Sequence, residues 1–251
     1  MNTPFDLTGN TAVVTGASTG IGKAMTLALA SAGADILLVD HSPKSETARE
    51  VIELGRRAAT IAVDLSAMES IELIAKKALA EFGKIDILVN NAGIIRRNPA
   101  IDATEQDWDD VMAVNAKTVF FLSQAAARDM MKRKRGKIIN VASLLSFQGG
   151  ITVPSYAASK GAVAQATKAM ANEWAQHGIN VNAIAPGYIE TNNTKALRED
   201  PLRSKAILER IPAGRWGKPE DLQGAVVFLA SRASDYVNGH VLAVDGGWLA
   251  R

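Results

Sequence analysis

Tyr156 and Lys160 stand four residues apart in Pro154-Ser155-Tyr156-Ala157-Ala158-Ser159-Lys160, a run that reads as helix through Gln176. At that spacing both side chains leave one helix face, a turn apart. A phenol has a reference pKa of about 10, and a nearby ammonium favours its ionised form. Such a pair would exchange protons nearer neutral pH, as an acid–base for an alcohol/ketone couple must. The competing reading is a solvated couple on an exposed helix face.

The elements that would position this pair are legible in the chain. Apolar, β-branched runs at 11–15, 36–39, 59–63, 85–89, 137–141, 180–185 and 241–244 read as seven strands. Helical stretches are expected between them at about 21–32, 43–54, 67–82 and 104–133, with Gly33 and Gly83 as stop signals. Thr104 and Asp107 open the longest as a capping box. Strands that are continuously apolar and alternate with helices imply a parallel sheet covered on both faces. The fold class expected is α/β, a doubly wound, mostly parallel seven-stranded sheet. With no linker or internal repeat, residues 1–251 read as one domain. Ligands of such sheets bind at the carboxyl ends of the strands.

The residues just after the strands therefore carry the functional expectation. After the first come Gly16, Gly20 and Gly22, spaced Gly-x-x-x-Gly-x-Gly before a helix. Glycines there permit a tight turn and close approach of backbone to a pyrophosphate, which the helix N-terminus attracts. A plain glycine-rich turn is the alternative. No Gly-Lys-Ser/Thr follows, which disfavours a kinase-type phosphate loop. Asp40 closes the second strand, eighteen residues beyond Gly22. It could accept from both hydroxyls of an adenosine ribose and repel a 2′-phosphate, or merely cap the next helix. With the uncharged Thr19 it favours NAD over NADP. Asp64, after the third strand, could accept from an adenine amino group or cap a helix. Asn91, Ala92 and Gly93 give a small-residue turn after the fourth. Ser143 follows the fifth strand, thirteen residues before Tyr156. Asn115 lies in the middle of the long helix, where a polar residue needs a partner, so a structural or a catalytic role is open.

Composition sets limits on function. The chain has 251 residues, 47% hydrophobic and 22% charged, with formal net charge +2. That balance gives no global field for nucleic acid or an anionic membrane. The basic run Lys132–Lys137 reads as a helix C-terminus closed by Gly136. There is no cysteine, and His41, His177 and His240 are far apart, so no metal site is expected. No apolar run reaches the ~18 residues of a membrane span. The segment Met1–Asp6 lacks the features of a leader. A cytoplasmic protein is the default expectation.

Taken together, Thr15-Gly16-x-x-x-Gly20-x-Gly22, Asn90-Asn91-Ala92-Gly93, Asn115, Ser143, Tyr156-x-x-x-Lys160 and Pro186-Gly187 with Thr191 resemble the short-chain dehydrogenases/reductases, in order and spacing. The resemblance implies a Rossmann-type fold and roles for each position. Tyr156 would move the hydroxyl proton, and Lys160 would lower its pKa and hold the nicotinamide ribose. Ser143 would bond the reacting oxygen, and Asn115 would hold a water relaying protons to Lys160. Pro186, Gly187, Ile189 and Thr191 would line the nicotinamide. Ser18, Ile21 and Leu65 complete the implied dinucleotide contacts. A homotetramer is implied as well.

The substrate segment is expected at about 188–216, with an excess of positive charge. Arg96 and Arg97, just past the Asn-Asn-Ala-Gly turn, could clamp a carboxylate, or form a solvated charge pair. With Gln148 they resemble the family members that act on sugar acids of the 2-deoxy-D-gluconate and 2-keto-3-deoxy-D-gluconate type. The alternatives are a 3-oxoacyl-carrier-protein reductase, which would favour NADP, and a non-catalytic dinucleotide sensor.

Overall fold

The computed structural model describes residues 3–251; Met1 and Asn2, the start of the N-terminal stretch read above, lie outside the described residues. The seven expected strands form one sheet: β1 (Thr11–Thr15), β2 (Asp35–Asp40), β3 (Ala58–Ala62), β4 (Ile87–Asn90), β5 (Gly136–Val141), β6 (Ile179–Pro186) and β7 (Val241–Val244). Their order is β3-β2-β1-β4-β5-β6-β7, and every neighbouring pair is parallel. The chain reverses direction across the sheet between β1 and β4, which opens a crevice there at the strands' carboxyl ends.

Alternation along each strand divides the core between two faces. Val14, Ile36, Leu38, Ile87 and Ile139 point to one, under Met25 and Leu29 of α1 (Gly20–Ser31) and the helix Gln223–Ala230. Val13, Leu37, Leu88, Ile138 and Val181 point to the other. There they meet α3 (Glu69–Phe82), α5 (Thr118–Arg133) and α6 (Pro154–Trp174); α2 (Ser45–Glu53) joins β2 to β3. These residues are almost wholly buried. The result is a single-domain Rossmann-like fold with helices on both sides.

Three local expectations are corrected. The long helix from Thr104 is not uniform: α4 (Glu105–Met112) passes into a π turn, Ala113–Lys117, before α5. In that turn Thr118 N bonds back to Ala113 O, one residue further than in an α-helix. The basic run does end α5, but Lys134 closes it in the left-handed conformation (φ 51°). Gly136 already belongs to β5, where a Cβ would lie 2.3 Å from Met130 Sδ. Finally, the sequence yields no regular element between β6 and β7. The structure has α7 (Lys195–Glu199), α8 (Pro201–Arg210) and α9 (Gln223–Ala230), so the supposed substrate loop is mostly helical. No helix among the described residues is long and apolar enough to cross a membrane.

Candidate active site

The carboxyl ends of β1, β2, β4, β5 and β6 open into one cleft of about 700 Å³. Its walls include Gly16, Thr19, Gly20, Ile21, Gly22, Asp40, Asp64, Leu65, Asn91, Ala92 and Gly93 on one side. Ser143, Tyr156 and Lys160 form its floor, and Pro186, Gly187, Ile189 and Thr191 close it. Residues scattered over most of the chain are thus collected by strand order alone. A second cavity, of about 420 Å³ and lined by Asp86, Lys137 and Asp235, sits at the opposite ends of the strands and contains none of these groups.

The glycine turn is held by its neighbours. Gly16 and Gly20 have φ of +64° and +51°, conformations costly for other residues. A Cβ on Gly22 would fall 1.9 Å from Gly16 O, so the helix can start here only with glycine. Thr15 Oγ1 accepts from Asn91 N and Ala92 N (both 3.0 Å), and Asn91 Nδ2 donates to Thr15 O and Gly16 O. Thr19, at the N-cap of α1, makes no side-chain cap, and the first turn carries no acidic residue. The orphan N–H groups of that turn therefore have no competing anion. Asp40 accepts from Ser18 N (3.1 Å) and His41 N (2.9 Å), so it braces the glycine turn instead of capping α2. Ser18 is buried and reaches Lys44 N through its hydroxyl. Asp64 accepts from Ser66 N and Oγ, which lowers its pKa.

Tyr156 and Lys160 lie on the first turns of α6, its amino end started by Pro154. Lys160 is 3% exposed, with Nζ donating to Val141 O at 2.6 Å and standing 5.6 Å from the Tyr156 ring centre. Burial drives its pKa down to about 8. The phenol of Tyr156 is held above its ordinary pKa by burial, which outweighs the lowering influence of the Ser143 hydroxyl and of the positive charge of Arg97. That direction is opposite to the expected one. The reason is burial: the ammonium is itself desolvated and bonded to the strand end, and desolvation is the largest influence on the phenol.

Ser143 caps a 3₁₀ turn, Leu144–Ser146, by accepting from Leu145 N. Ser146 Oγ accepts from Ser143 N and donates to Lys160 O (2.6 Å), which fastens this turn to α6. Asn115, wholly buried on the π turn, pairs with the backbone of Ile94 in both directions, Oδ1 from Ile94 N (2.8 Å) and Nδ2 to Ile94 O (2.9 Å). Its Nδ2 also reaches Ser159 Oγ, which donates to Tyr156 O. The Asn115 side chain is thus occupied with protein partners. Ser146 and Ser159 were not singled out by the sequence, and Thr15 only as the start of the glycine motif. The signal for Ser159 is a hydroxyl directly beside Lys160; Ser146 carries none beyond lying in the segment after Ser143.

The substrate residues separate. Arg96 turns to Asp110 (3.1 Å) and Asp107 (3.7 Å) on α4, outside the cleft. Arg97 instead spans the mouth, donating to Asn193 O (3.1 Å), and its charge is felt by Tyr156 and Tyr188. The expected double clamp is not formed. Gln148 accepts from the indole of Trp248 (3.2 Å). Tyr188, Trp216 and Trp248 build an aromatic wall beside the cleft, with ring centres 5.5 and 4.7 Å from Tyr188.

A family model described as enoyl-(acyl carrier protein) reductase matches residues 16–249. The 2-dehydro-3-deoxy-D-gluconate 5-dehydrogenase of Dickeya dadantii is 60% identical over 248 residues, covering 98% of both chains. The Bacillus subtilis enzyme of that name is 59% identical, covering 98% of this chain and 97% of its own. The crystal structure of a gluconate 5-dehydrogenase from Burkholderia cenocepacia with NADP and tartrate superposes with TM-score 0.94 at 42% identity, covering 100% of this chain and 99% of that one. A crystal structure from Agrobacterium tumefaciens with bound NADP gives TM-score 0.92 at 55% identity, covering 99% of each chain. Both of these structures hold NADP, whereas Asp40 and Thr19 led to the expectation of NAD. Likeness of this extent, on a cleft built in this way, means that the chain belongs to the short-chain dehydrogenase/reductase family.

Proposed function

We propose that this oxidoreductase interconverts a secondary alcohol and a ketone on a sugar acid of the 2-dehydro-3-deoxy-D-gluconate class, using a nicotinamide dinucleotide. The observation that carries the reading is the single cleft joining the glycine turn to Ser143, Tyr156 and Lys160. The glycine turn fits a dinucleotide, because the first turn of α1 presents uncapped N–H groups and no acid. A bound nicotinamide supplies the hydride donor or acceptor.

The protein's own part is proton handling and orientation. Ser143 and Tyr156 both line the floor of the cleft, so a substrate oxygen between them would stand at the phenol that moves its proton. At neutral pH the raised pKa keeps Tyr156 protonated, ready to donate to a ketone oxygen. Lys160, with a pKa of about 8, is cationic there and favours negative charge that develops in the floor of the cleft. Asn115 acts through Ile94 and Ser159, holding the turn after β4 against α6.

Arg97 at the mouth suits the carboxylate of a sugar acid. Near-full-length likeness to enzymes named for sugar acids favours this substrate over an acyl carrier. We propose NAD as the preferred dinucleotide, because Asp40 carries a negative charge where a 2′-phosphate would add two more. The relatives with bound NADP make the comparison of the two dinucleotides the necessary control.

A homotetramer is proposed from a shallow groove on α5 and α6, lined by Phe120, Ala162 and Ala166. Phe120 is 39% exposed there. Light scattering should give four times the 26.6 kDa chain mass.

The experiment that tests the function is hydride transfer monitored at the nicotinamide absorbance, over a panel of 2-keto-3-deoxy and 2-deoxy aldonic acids, neutral polyols and 3-oxoacyl thioesters. Turnover is expected on the sugar acids. Turnover confined to the thioesters, or none with any substrate, removes the reading.

A further inference from the structure

The cavity of about 420 Å³ at the amino ends of the strands is separate from the cleft, and its walls are charged. It opens between the first residues of β4, β5 and β6, beside the carboxyl end of α5. Lys134, Arg135, Lys137 and Arg232 line it, against the carboxylates of Asp86 and Asp235. Both carboxylates are already engaged. Asp86, almost wholly buried, accepts from Thr11 N (2.9 Å) and pairs with Arg133 (2.7 Å) and Lys84 (2.9 Å), which stand outside the cavity wall. Asp235 pairs with Lys137 (2.8 Å).

Lys137 gives its remaining hydrogens to Asn180 Oδ1 (2.9 Å) and Ser234 Oγ (3.4 Å), so the protein satisfies it. The other cations are left over: among the described residues, the ion pairs of this region take in neither Lys134 nor Arg135 nor Arg232. The side chain of Arg135 has one long bond, to Asn10 Oδ1 (3.5 Å). Asn10, 9% exposed in the same wall, has no partner for its NH₂ group among the described residues. Burial lowers the pKa of Lys137, and the positive charge of Arg135 pushes it the same way, against the hydrogen bond to Asp235. Lys134 closes α5, and Arg232 follows α9 by two residues, so both also complement a helix dipole. The dipoles account for the sign of these side chains, not for their convergence on one hollow.

We infer that this cavity is a second binding site, for a small anion bearing a phosphate group, held by the guanidinium groups of Arg135 and Arg232 with Lys134 and the Asn10 amide as further donors. Planar guanidinium forks match phosphate oxygens two at a time. The volume is that of a small-molecule site. A phosphate there would neutralise the cations that the protein's own carboxylates leave unpaired. The site shares no residue with the cleft, so it stands whichever substrate the cleft takes.

Calorimetric titration of the full chain tests this, with inorganic phosphate as the probe and chloride at equal ionic strength as the reference. Excess dinucleotide is present throughout, to keep phosphate off the glycine turn. Saturable binding with a Kd of about 1 mM or tighter is expected. A sugar phosphate is titrated beside it, and the tighter of the two names the source of the phosphate group. Arg135→Gln combined with Arg232→Gln should weaken binding by about tenfold or more. Asp235→Asn removes the carboxylate that competes for Lys137 and should tighten binding by about threefold or more. Because this variant gains affinity, it carries the test if the double arginine variant fails to fold. No saturable heat with either probe, or equal affinity in wild type and the arginine variant, overturns the proposal. So does an arginine variant that loses the same stability in chloride as in phosphate, since its cations would then serve the helix ends alone.

Discussion

Lys160 Nζ lies 2.6 Å from the carbonyl oxygen of Val141, so the lysine one turn beyond Tyr156 is bonded to the last residue of β5. The pair is therefore not a solvated couple on a helix face. The bond sets the height of α6 above the sheet and keeps the ammonium in the floor of the cleft. Ser146 Oγ reinforces the contact by donating to Lys160 O. Both ends of residue 160 are thus tied to the β5 end and the Ser143 turn.

Tyr156 shares the floor of the cleft with Ser143 and Lys160, and its phenol is the group proposed to move the substrate proton. Tyr156→Phe should reduce turnover by about 10³-fold or more. Dinucleotide binding, followed by fluorescence, should stay within about twofold, because the ring is retained. Burial holds the phenol up, so wild-type alcohol oxidation should gain rate as pH rises from neutral into the alkaline range, and ketone reduction should not. A variant with near wild-type turnover would remove Tyr156 from the chemistry.

Burying Lys160 should cost the protein stability. Its folded pKa of about 8 is below the ordinary lysine value of 10.5. Below the folded value both states bind the proton and the full penalty applies, about 3 kcal/mol. Between pH 8 and 10.5 only the unfolded chain binds it, so stability from this group rises with pH. Lys160→Met also gives up the bond to Val141 O, leaving an expected net gain of about 1 kcal/mol at pH 7. Denaturant melts of variant and wild type should show this gain shrinking as pH is raised toward 10. A gain that is absent at pH 7, or constant with pH, would contradict the burial account.

Much of this was legible because it is written in local chemistry. Glycines 16, 20 and 22 announce a turn that no other residue could make, and continuous apolar runs announce buried parallel strands. The π turn at Asn115 was not legible, because a one-residue change in hydrogen-bond register leaves no mark on apolar spacing. Nor was the parting of Arg96 from Arg97. Adjacent residues on an irregular segment can point anywhere, and Asp107 and Asp110 capture Arg96 only once α4 is placed beside it. The direction of the Tyr156 pKa was missed for the same reason. Spacing brings an ammonium near, but only the packed site tells how much water both groups have lost.

The separation of the two arginines should appear directly in kinetics. Arg97→Gln is expected to raise KM for sugar acids by about tenfold or more, with a smaller effect on neutral polyols. Arg96→Gln should leave both KM values within about twofold and cost less than about 1 kcal/mol, because its ion pairs with Asp107 and Asp110 are partly exposed. Equal effects of the two substitutions would restore the paired clamp and contradict the placement of Arg96.

Asp40 answers the cofactor question by a different route. Its carboxylate braces the glycine turn at Ser18 N and stands in the cleft with a full negative charge. Asp40→Ala removes the charge together with two backbone bonds, so the melting midpoint should fall by the equivalent of about 1–2 kcal/mol. At short range, charge repulsion near a protein surface is worth up to about 4 kcal/mol, so lifting it should favour the 2′-phosphorylated dinucleotide strongly. The ratio of kcat/KM for NADP to that for NAD is expected to rise by about tenfold or more. If the wild type already prefers NADP and the ratio does not move in the variant, Asp40 is a brace for the turn and plays no part in choosing the cofactor.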